Sequence, residues 1–351
     1  MPLSALSQHA AFAAVIAGFS AVLTALLVRH LRILDVPNER SSHSIPTPRG
    51  GGLAIVVGFF LGISLVNLLG DAAPVSTRYF AGFLAALLLI ASVSLYDDFR
   101  TSGVSIKMAA QLIAIGIVMA TGIVIDELHL PWLGPTSLGW CAYPLTLFWI
   151  LGLTNAYNFM DGLDGMAAGS AAIAGAFFSY IAFQQGSPFI YLASLALCAA
   201  TSGFLVFNWP PAKIFMGDVG STFLGFSFAV MAIIAARYDR SHTSLFVIPL
   251  LLFHFIFDTV FTFSRRYMRG ENILQAHRTH LYQLLNRSGC SHRAVTLAYS
   301  GMAVAQGFGA IWMVNIPGDR RMLVFLPFLM LQVIFAFGVM RLAKRHGLLS
   351  G

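Results

Sequence analysis

Asp97 and Asp98 come straight after an apolar stretch, 79–95, that carries no charged residue. Adjacent carboxylates at such a boundary repel each other and need a cation, a proton or a long basic side chain nearby. A second acidic pair, Asp161 and Asp164, closes the segment Asn155-Ala-Tyr-Asn158-Phe-Met-Asp161-Gly-Leu-Asp164-Gly165. Asp218 adds a fifth carboxylate in Phe215-Met-Gly217-Asp218-Val-Gly220-Ser221. Oxygen-rich sets of this kind suit Mg²⁺ or Mn²⁺. Cys141, Cys198 and Cys290 show no paired spacing, so neither a disulfide framework nor a soft-metal site is indicated.

Asn155, Asn158, Asp161 and Asp164 are three residues apart, and on a straight helix each such step slips backward by about 60°. Gly162 and Gly165 offer places to break the helix, so that all four can converge. Asp161 also reads as a cap for a helix starting near 166. Glycines in 215–221 let backbone amides approach a ligand, and a helix start favours phosphate. The Gly-Lys-Ser/Thr ending of a Walker A loop is absent. Phe215 reads either as a stacking partner for a base or as an interfacial anchor. His277, Arg278 and His280 lie among further arginines, whose guanidinium groups match phosphate oxygens; the ring nitrogens suit phosphate or metal. Arg265, Arg266 and Arg269 also read as topology signals alone. Asp258, seven residues before Arg265, reads as one half of an ion pair at the end of a helix.

The elements that position these residues are membrane helices. Of 351 residues, 58% are hydrophobic and 10% charged, against about 25% charged in a soluble domain. That excludes a soluble enzyme, a disordered chain and a fibrous protein, and non-alternating apolar stretches argue against a β-barrel. About eleven spans are read: 9–29, 51–69, 79–95, 106–125, 141–157, 166–184, 188–207, 221–237, 244–264, 295–315 and 322–342, each near the ~20 residues that cross ~30 Å of hydrocarbon. The expected fold is all-α and polytopic, one domain over 1–351. The first basic residue is Arg29, so the charged opening of a cleavable signal peptide is missing and the first stretch is expected to remain as a helix.

Net charge is +7, which in this setting reports loop topology before any nucleic-acid partner, and none is expected. Of 21 Lys and Arg, 16 fall on the face reached after the first, third and later odd-numbered spans, and 5 on the other. The positive-inside rule makes the first face cytoplasmic, with the N-terminus outside and the C-terminus inside. The polar loops near 30–50 (through Arg40, His43 and Arg49), 96–107 (ending at Lys107), 155–166, 208–221 and 265–293 all lie on that face, and the outward loops look short and bland. The residues also admit a secondary transporter of an anionic solute, but such proteins hold charges near the midplane in two related halves, and no paired halves are visible.

Together these loops resemble the polyprenyl-phosphate N-acetylhexosamine-1-phosphate transferase family, glycosyltransferase family 4, to which phospho-N-acetylmuramoyl-pentapeptide transferase also belongs. The likeness rests on Pro-Arg-Gly-Gly at 48–51, Asp-Asp at 97–98, Asn-x-x-Asn-x-x-Asp-Gly-x-Asp-Gly at 155–165, Phe-Met-Gly-Asp-x-Gly-Ser at 215–221 and the histidines at 277 and 280, and it covers nearly the whole chain. It implies an enzyme of the bacterial inner membrane, multi-pass, with its active site facing the cytoplasm. Such an enzyme loads an amino-sugar 1-phosphate from a UDP-N-acetylamino sugar onto undecaprenyl phosphate with Mg²⁺ and releases UMP; a homodimer is one arrangement it admits. The resemblance makes Asp218 the main metal ligand, helped by Asn158, and Asp97, Asp98, Asp161 and Asp164 catalytic. Lys107 would bind nucleotide-sugar phosphate and Phe215 would stack the uracil, with Arg49, Asn155 and Gly217 also at the substrate. His277, Arg278 and His280 would hold the diphosphate or sugar. The peptidoglycan enzyme has a run of consecutive histidines where this chain has His-Arg-Thr-His-Leu-Tyr. That looks like the branch that initiates O-antigen or other surface polysaccharides, lipopolysaccharide among them, whose sugars include N-acetylglucosamine, N-acetylfucosamine and N-acetylquinovosamine, and loop 265–293 is expected to select the sugar.

Overall fold

The computed structural model describes residues 3–31, 33–36, 45–69, 76–100, 103–238, 243–272, 275 and 277–349; Arg32, Arg40, His43 and Arg240 lie outside the described residues. Helix α1 (Leu3–His30) leads to two short antiparallel strands, β1 (Leu34–Asp35) and β2 (Thr47–Pro48). Then come α2 (Gly52–Leu69), α3 (Thr77–Arg100) and α4 (Val104–Ala120). A hairpin, β3 (Glu127–Leu130) and β4 (Gly134–Ser137), precedes α5 (Ala142–Phe159), α6 (Met166–Gln184), α7 (Pro188–Asn208) and α8 (Asp218–Ile233). The chain closes with α9 (Val247–Leu251), α10 (Phe253–Met268), α11 (Leu281–Arg287), α12 (His292–Val314) and α13 (Phe325–Arg345).

The chain is nearly all helical, as lipid demands: only a helix satisfies its own backbone groups in hydrocarbon. Among the described residues, seven helices are long and apolar enough to cross a membrane, those covering Ser7–His30, Thr77–Arg100, Met166–Gln184, Pro188–Asn208, Asp218–Arg237, His292–Val314 and Gly318–Arg345. Each of the eleven stretches read from sequence is helical over most of its length; α4 stops at Ala120, short of the expected 125, and three further differences stand out. First, α3 runs on through Asp97 and Asp98 to Arg100, so the acidic pair sits in the last turn of a helix and not in a loop. Second, α8 continues as a π-helical turn, Ile234–Tyr238. Third, the stretch 244–264 is broken at Leu252. There the His254 amide turns to the Gln306 side chain of α12 at 3.4 Å, a side chain inserted into the ladder.

Helix α8 is the axis: every residue from Val219 to Ile233 is buried, behind α2, α3 and α5. Its first turn meets α2 at glycine against glycine. A Cβ on Gly52 would lie 2.4 Å from the Gly220 Cα, so small residues set the approach of the two helices, as is usual where hydrophobic burial gives no drive between membrane helices. At the opposite end of the helices the loops are less bland than their sequence suggests. Arg237 pairs with Asp126 at 2.6 Å and Glu127 at 3.4 Å, tying the β3–β4 hairpin to the π-helical turn.

The Gly52 contact is testable. Gly52→Ala forces backbone apart rather than a flexible side chain, so it should cost about 1–3 kcal/mol, the usual range for overpacking. A melting temperature in detergent equal to that of the unaltered protein would contradict the contact.

Candidate active site

Helix α8 begins with a problem that the chain solves from a distance. Its N-cap, Gly217, has no side chain to accept from the first free amides and sits at φ +75°, a conformation suited to glycine. Asp98 of α3 does the accepting. Its Oδ1 takes the Asp218 amide at 3.0 Å and its Oδ2 the Val219 amide at 2.9 Å. A Cβ at position 217 would stand 2.5 Å from Asp98 Oδ2, so glycine is needed for the carboxylate to come in at all. The carboxylate also lies at the positive end of the helix dipole, which favours it.

Two cations knit this start to its surroundings. Arg49 Nε meets Asp98 Oδ1 at 2.9 Å and its Nη2 meets Asp218 Oδ1 at 2.9 Å. Lys107 Nζ bridges Asp97 Oδ2 at 2.6 Å and Asp218 Oδ2 at 2.7 Å. Burial opposes the charge on Arg49, but the Asp98 and Asp218 carboxylates outweigh it and raise the guanidinium above its ordinary value. Arg49 is held in register by its backbone neighbours. The Phe215 amide bonds the Pro48 carbonyl at 2.8 Å, and the Gly51 and Gly52 amides bond the Phe215 and Met216 carbonyls at 2.9 and 2.8 Å. Loops 45–52, 97–107 and 213–221 thus form one unit.

The segment 155–165 converges only in part. Helix α5 ends at Phe159. Asn158 reaches Ser221 Oγ at 2.8 Å and Asp218 Oδ1 at 3.4 Å. Asp161 follows in the turn, and its carboxyl has no hydrogen-bond or ion-pair partner among the described residues. Burial first, then the Asp218 charge, push that carboxyl up to about 7. It does not cap the next helix, because the N-cap of α6 is Gly165 and no side chain caps it. Asn155 turns away to pair with Gln111 of α4 at 2.8 Å. Asp164 accepts from the Ala212 amide at 3.1 Å and meets His292 at 3.2 Å, fastening the turn to loop 208–217 and to α12.

His277, Arg278 and His280 form a second cluster. The His277 and His280 rings stand 4.9 Å apart. Burial, then His280 and Arg266 with Arg265, lower the His277 imidazole to about 4, so it is neutral at neutral pH and donates to an anion only through a ring N–H. Arg265 and Arg266 do more than mark topology. Arg266 binds Glu271 at 2.8 Å and the Asn272 and Gln275 carbonyls at 2.7 and 3.0 Å, and Arg265 takes the Thr279 carbonyl, so together they shape the loop. Asp258 pairs with His280 at 3.1 Å rather than with an arginine. The two clusters are linked by Tyr282, whose hydroxyl donates to the Phe159 carbonyl at 3.0 Å.

Sequence reasoning gave no role to Ser221, Gln111, Tyr282 or the capping by Asp98. Gln111 carried a signal, a polar residue four positions after Lys107 on an apolar helix. The contacts of Ser221, Tyr282 and Asp98 span 63, 123 and 120 positions, beyond any local pattern.

The donor set can be weighed against a divalent ion. Three carboxylates face two cations in the main cluster, and Asp161 adds a fourth acid, so negative charge is in excess. No three His, Cys, Asp or Glu side chains among the described residues converge to hold a metal alone. Mg²⁺ commonly binds through one or two protein oxygens completed by substrate phosphates, and Asp218 with Asn158 fits that pattern.

Comparison with known proteins identifies the family. The model of glycosyl transferase family 4 matches residues 80–236. The chain is 34% identical, over 86% of its length and 83% of the relative's, to a Bacillus subtilis protein described as "Probable undecaprenyl-phosphate N-acetylglucosaminyl 1-phosphate transferase". It is 31% identical, over 88% and 84%, to the decaprenyl-phosphate N-acetylglucosaminephosphotransferase of Mycobacterium leprae. It is 35% identical, over 57% and 62%, to the phospho-N-acetylmuramoyl-pentapeptide-transferase of Pelagibacter ubique.

Asp161 gives a pH prediction. Its folded carboxyl titrates at about 7 against an ordinary 3.8. Between those values the folded chain holds a proton that the unfolded chain has lost, so stability falls as pH rises through that window. Metal-free Asp161→Asn should therefore melt several degrees above the unaltered protein at pH 8, with the gap closing near pH 4. A gap independent of pH would mean that this carboxyl is not perturbed.

Proposed function

For this chain, which belongs to glycosyl transferase family 4, we propose transfer of an N-acetylated amino-sugar 1-phosphate from a UDP-sugar to undecaprenyl phosphate, with release of UMP. The chain is a phosphotransferase by family. The donor, the acceptor's chain length and a role in starting O-antigen or another surface polysaccharide are our reading. The observation that carries it is the bridged charge cluster at the first turn of α8, where Lys107 and Arg49 converge on Asp97, Asp98 and Asp218.

An oxygen of the lipid phosphate attacks the sugar-linked phosphorus of the donor. The bond from that phosphorus to the bridging oxygen breaks, and UMP leaves with the oxygen. The second pKa of a phosphate monoester lies near ~6, so the attacking group is already mostly ionised at neutral pH and a general base adds little. Bringing two anions together is the larger cost, about 4 kcal/mol for unit charges 4 Å apart at an effective dielectric of 20. Arg278 can offset part of that cost, and Lys107 and Arg49 can offset more of it by exchanging carboxylate partners for phosphate oxygens of the donor. When bound at Asp218 and Asn158, Mg²⁺ would neutralise the donor's diphosphate. Asp97 and Asp98 support a single-step route. Their side chains are almost wholly buried and already engaged, Asp98 by Arg49 and two amides and Asp97 by Lys107, which leaves neither free to become a phosphorylated intermediate.

Phe215 is assigned to the uracil and loop 265–293 to the sugar. The even–odd charge split supports the orientation: the N-terminus outside, the C-terminus inside, and the site at the cytoplasmic face of a bacterial membrane. An anion transporter is not favoured, because Arg49, Lys107, Asp97, Asp98 and Asp218 gather at one end of the helices rather than near the midplane.

Membranes containing the protein, given undecaprenyl phosphate, Mg²⁺ and a panel of UDP-sugars, should release UMP with an N-acetylhexosamine donor. Asp218→Asn should abolish release while the protein still inserts in the membrane and melts cooperatively in detergent, at a temperature lowered by the loss of the Arg49 and Lys107 pairs. Full activity in that variant would remove Asp218 from the site, and no release with any donor would reject the reaction.

A further inference from the structure

Helix α10 carries a buried carboxylate, Asp258, whose hydrogen bonds among the described residues come from five donors, none of them Lys or Arg. Oδ1 accepts from the His280 ring at 3.1 Å, the Leu281 amide at 2.9 Å and the Thr262 hydroxyl at 3.2 Å. Oδ2 accepts from the Tyr299 hydroxyl at 2.7 Å and the Tyr282 amide at 3.2 Å. Burying a carboxylate costs free energy that a neutral group would avoid. Here only an acceptor without hydrogens serves, because an amide would turn its NH₂ against at least one of the five donors.

The consequence falls on His280. A carboxylate has no proton to give, so the His280 Nδ1 carries the hydrogen between them. Nε2, on the far side of the ring, is the nitrogen left for a ligand. The plane of the ring is fixed as well. It lies nearly parallel to the Tyr282 ring, 5.9 Å away at 19°, and to the Phe159 ring, 6.2 Å away at 28°. Phe159 ends α5 two residues before Asp161, so His280 is held beside the turn that enters the acidic cluster.

We propose that Asp258 is a positioning residue: it sets the tautomer and heading of His280 so that Nε2 is presented to the nucleotide-sugar donor, and with the same oxygens it caps the first turn of α11. This rests on the reading that His280 contacts the donor. Asp258 itself touches no substrate. It acts through the ring, as the orienting partner of a metal- or substrate-binding histidine does elsewhere.

The test is a double-mutant cycle on the detergent-purified full chain, reading UMP release from UDP-N-acetylglucosamine and undecaprenyl phosphate. Asp258→Asn should lower kcat about 10- to 100-fold, the range typical of a lost orienting partner. In a His280→Gln background the same change should cost less than about twofold, because coupled residues are not additive. Equal losses in both backgrounds, or full activity in His280→Gln, would overturn the proposal. Tyr299→Phe removes one of the five donors without touching the ring; it should lower the melting temperature and keep kcat within about twofold. A loss in Tyr299→Phe as deep as in Asp258→Asn would mark the network as structural only. Nitrogen NMR of ¹⁵N-histidine-labelled unaltered protein needs no variant to fold: it should find His280 protonated at Nδ1, and protonation at Nε2 alone would overturn the proposal. An unaltered protein that releases no UMP would instead reject the transferase reading, while the NMR measurement still decides the tautomer.

Discussion

The arrangement depends on how the first turn of α8 is satisfied. Helix starts leave four amides without partners, and here the start lies at the buried axis of the bundle behind a glycine that cannot cap it. Asp98 reaches in from α3 to do so, and Arg49 and Lys107 balance the acids that gather around it. Losing one partner of a buried pair commonly costs about 3–5 kcal/mol because the other charge is left alone. The network is therefore both the joint between three loops and the source of the electrostatics at the site. A sequence that must keep Gly217 so that Asp98 fits, and Asp98 so that α8 starts, couples fold and chemistry at the same atoms.

Around that joint the molecule divides its labour. Asn158, Asp161 and Asp218 face one region, and Asp161 is the acid left without a hydrogen-bond or ion-pair partner among the described residues. His277, Arg278 and His280 stand on a separate loop, tied in through Tyr282 and Phe159. In the proposed reaction a donor with a nucleotide, two phosphates and a sugar would draw on both, and the lipid phosphate on the first. The neutral state of His277 shows that the second cluster is not simply a cationic patch.

The membrane helices were legible in the sequence because their hydrophobic runs are long and local. So was the gathering of Asp97, Asp98, Lys107, Asn158, Asp161 and Asp218, since loop parity alone brings them to one end. What could not be read depends on contacts across distant segments. Asp98 as a cap needs α8 beside α3. The break at Leu252 needs Gln306 of α12 to take a helix amide. Asn155 and Asp164 share the spacing of Asn158 and Asp161, yet they turn toward Gln111 and toward Ala212 with His292, because α5 ends at Phe159 and the helical spacing does not carry on to Asp161 and Asp164. Asp258 looked like half of an ion pair with a nearby arginine; apart from Thr262, its partners lie 22 to 41 positions away.

The central claim is that loops far apart in the chain emerge at one membrane face and close on one site. Single cysteines would test it most directly, at Phe99→Cys, Phe159→Cys and Lys213→Cys, in a background lacking Cys141, Cys198 and Cys290. With a membrane-impermeant thiol reagent, all three should label in inverted vesicles and none in intact cells. Labelling of any one from the opposite side to the other two would contradict the account.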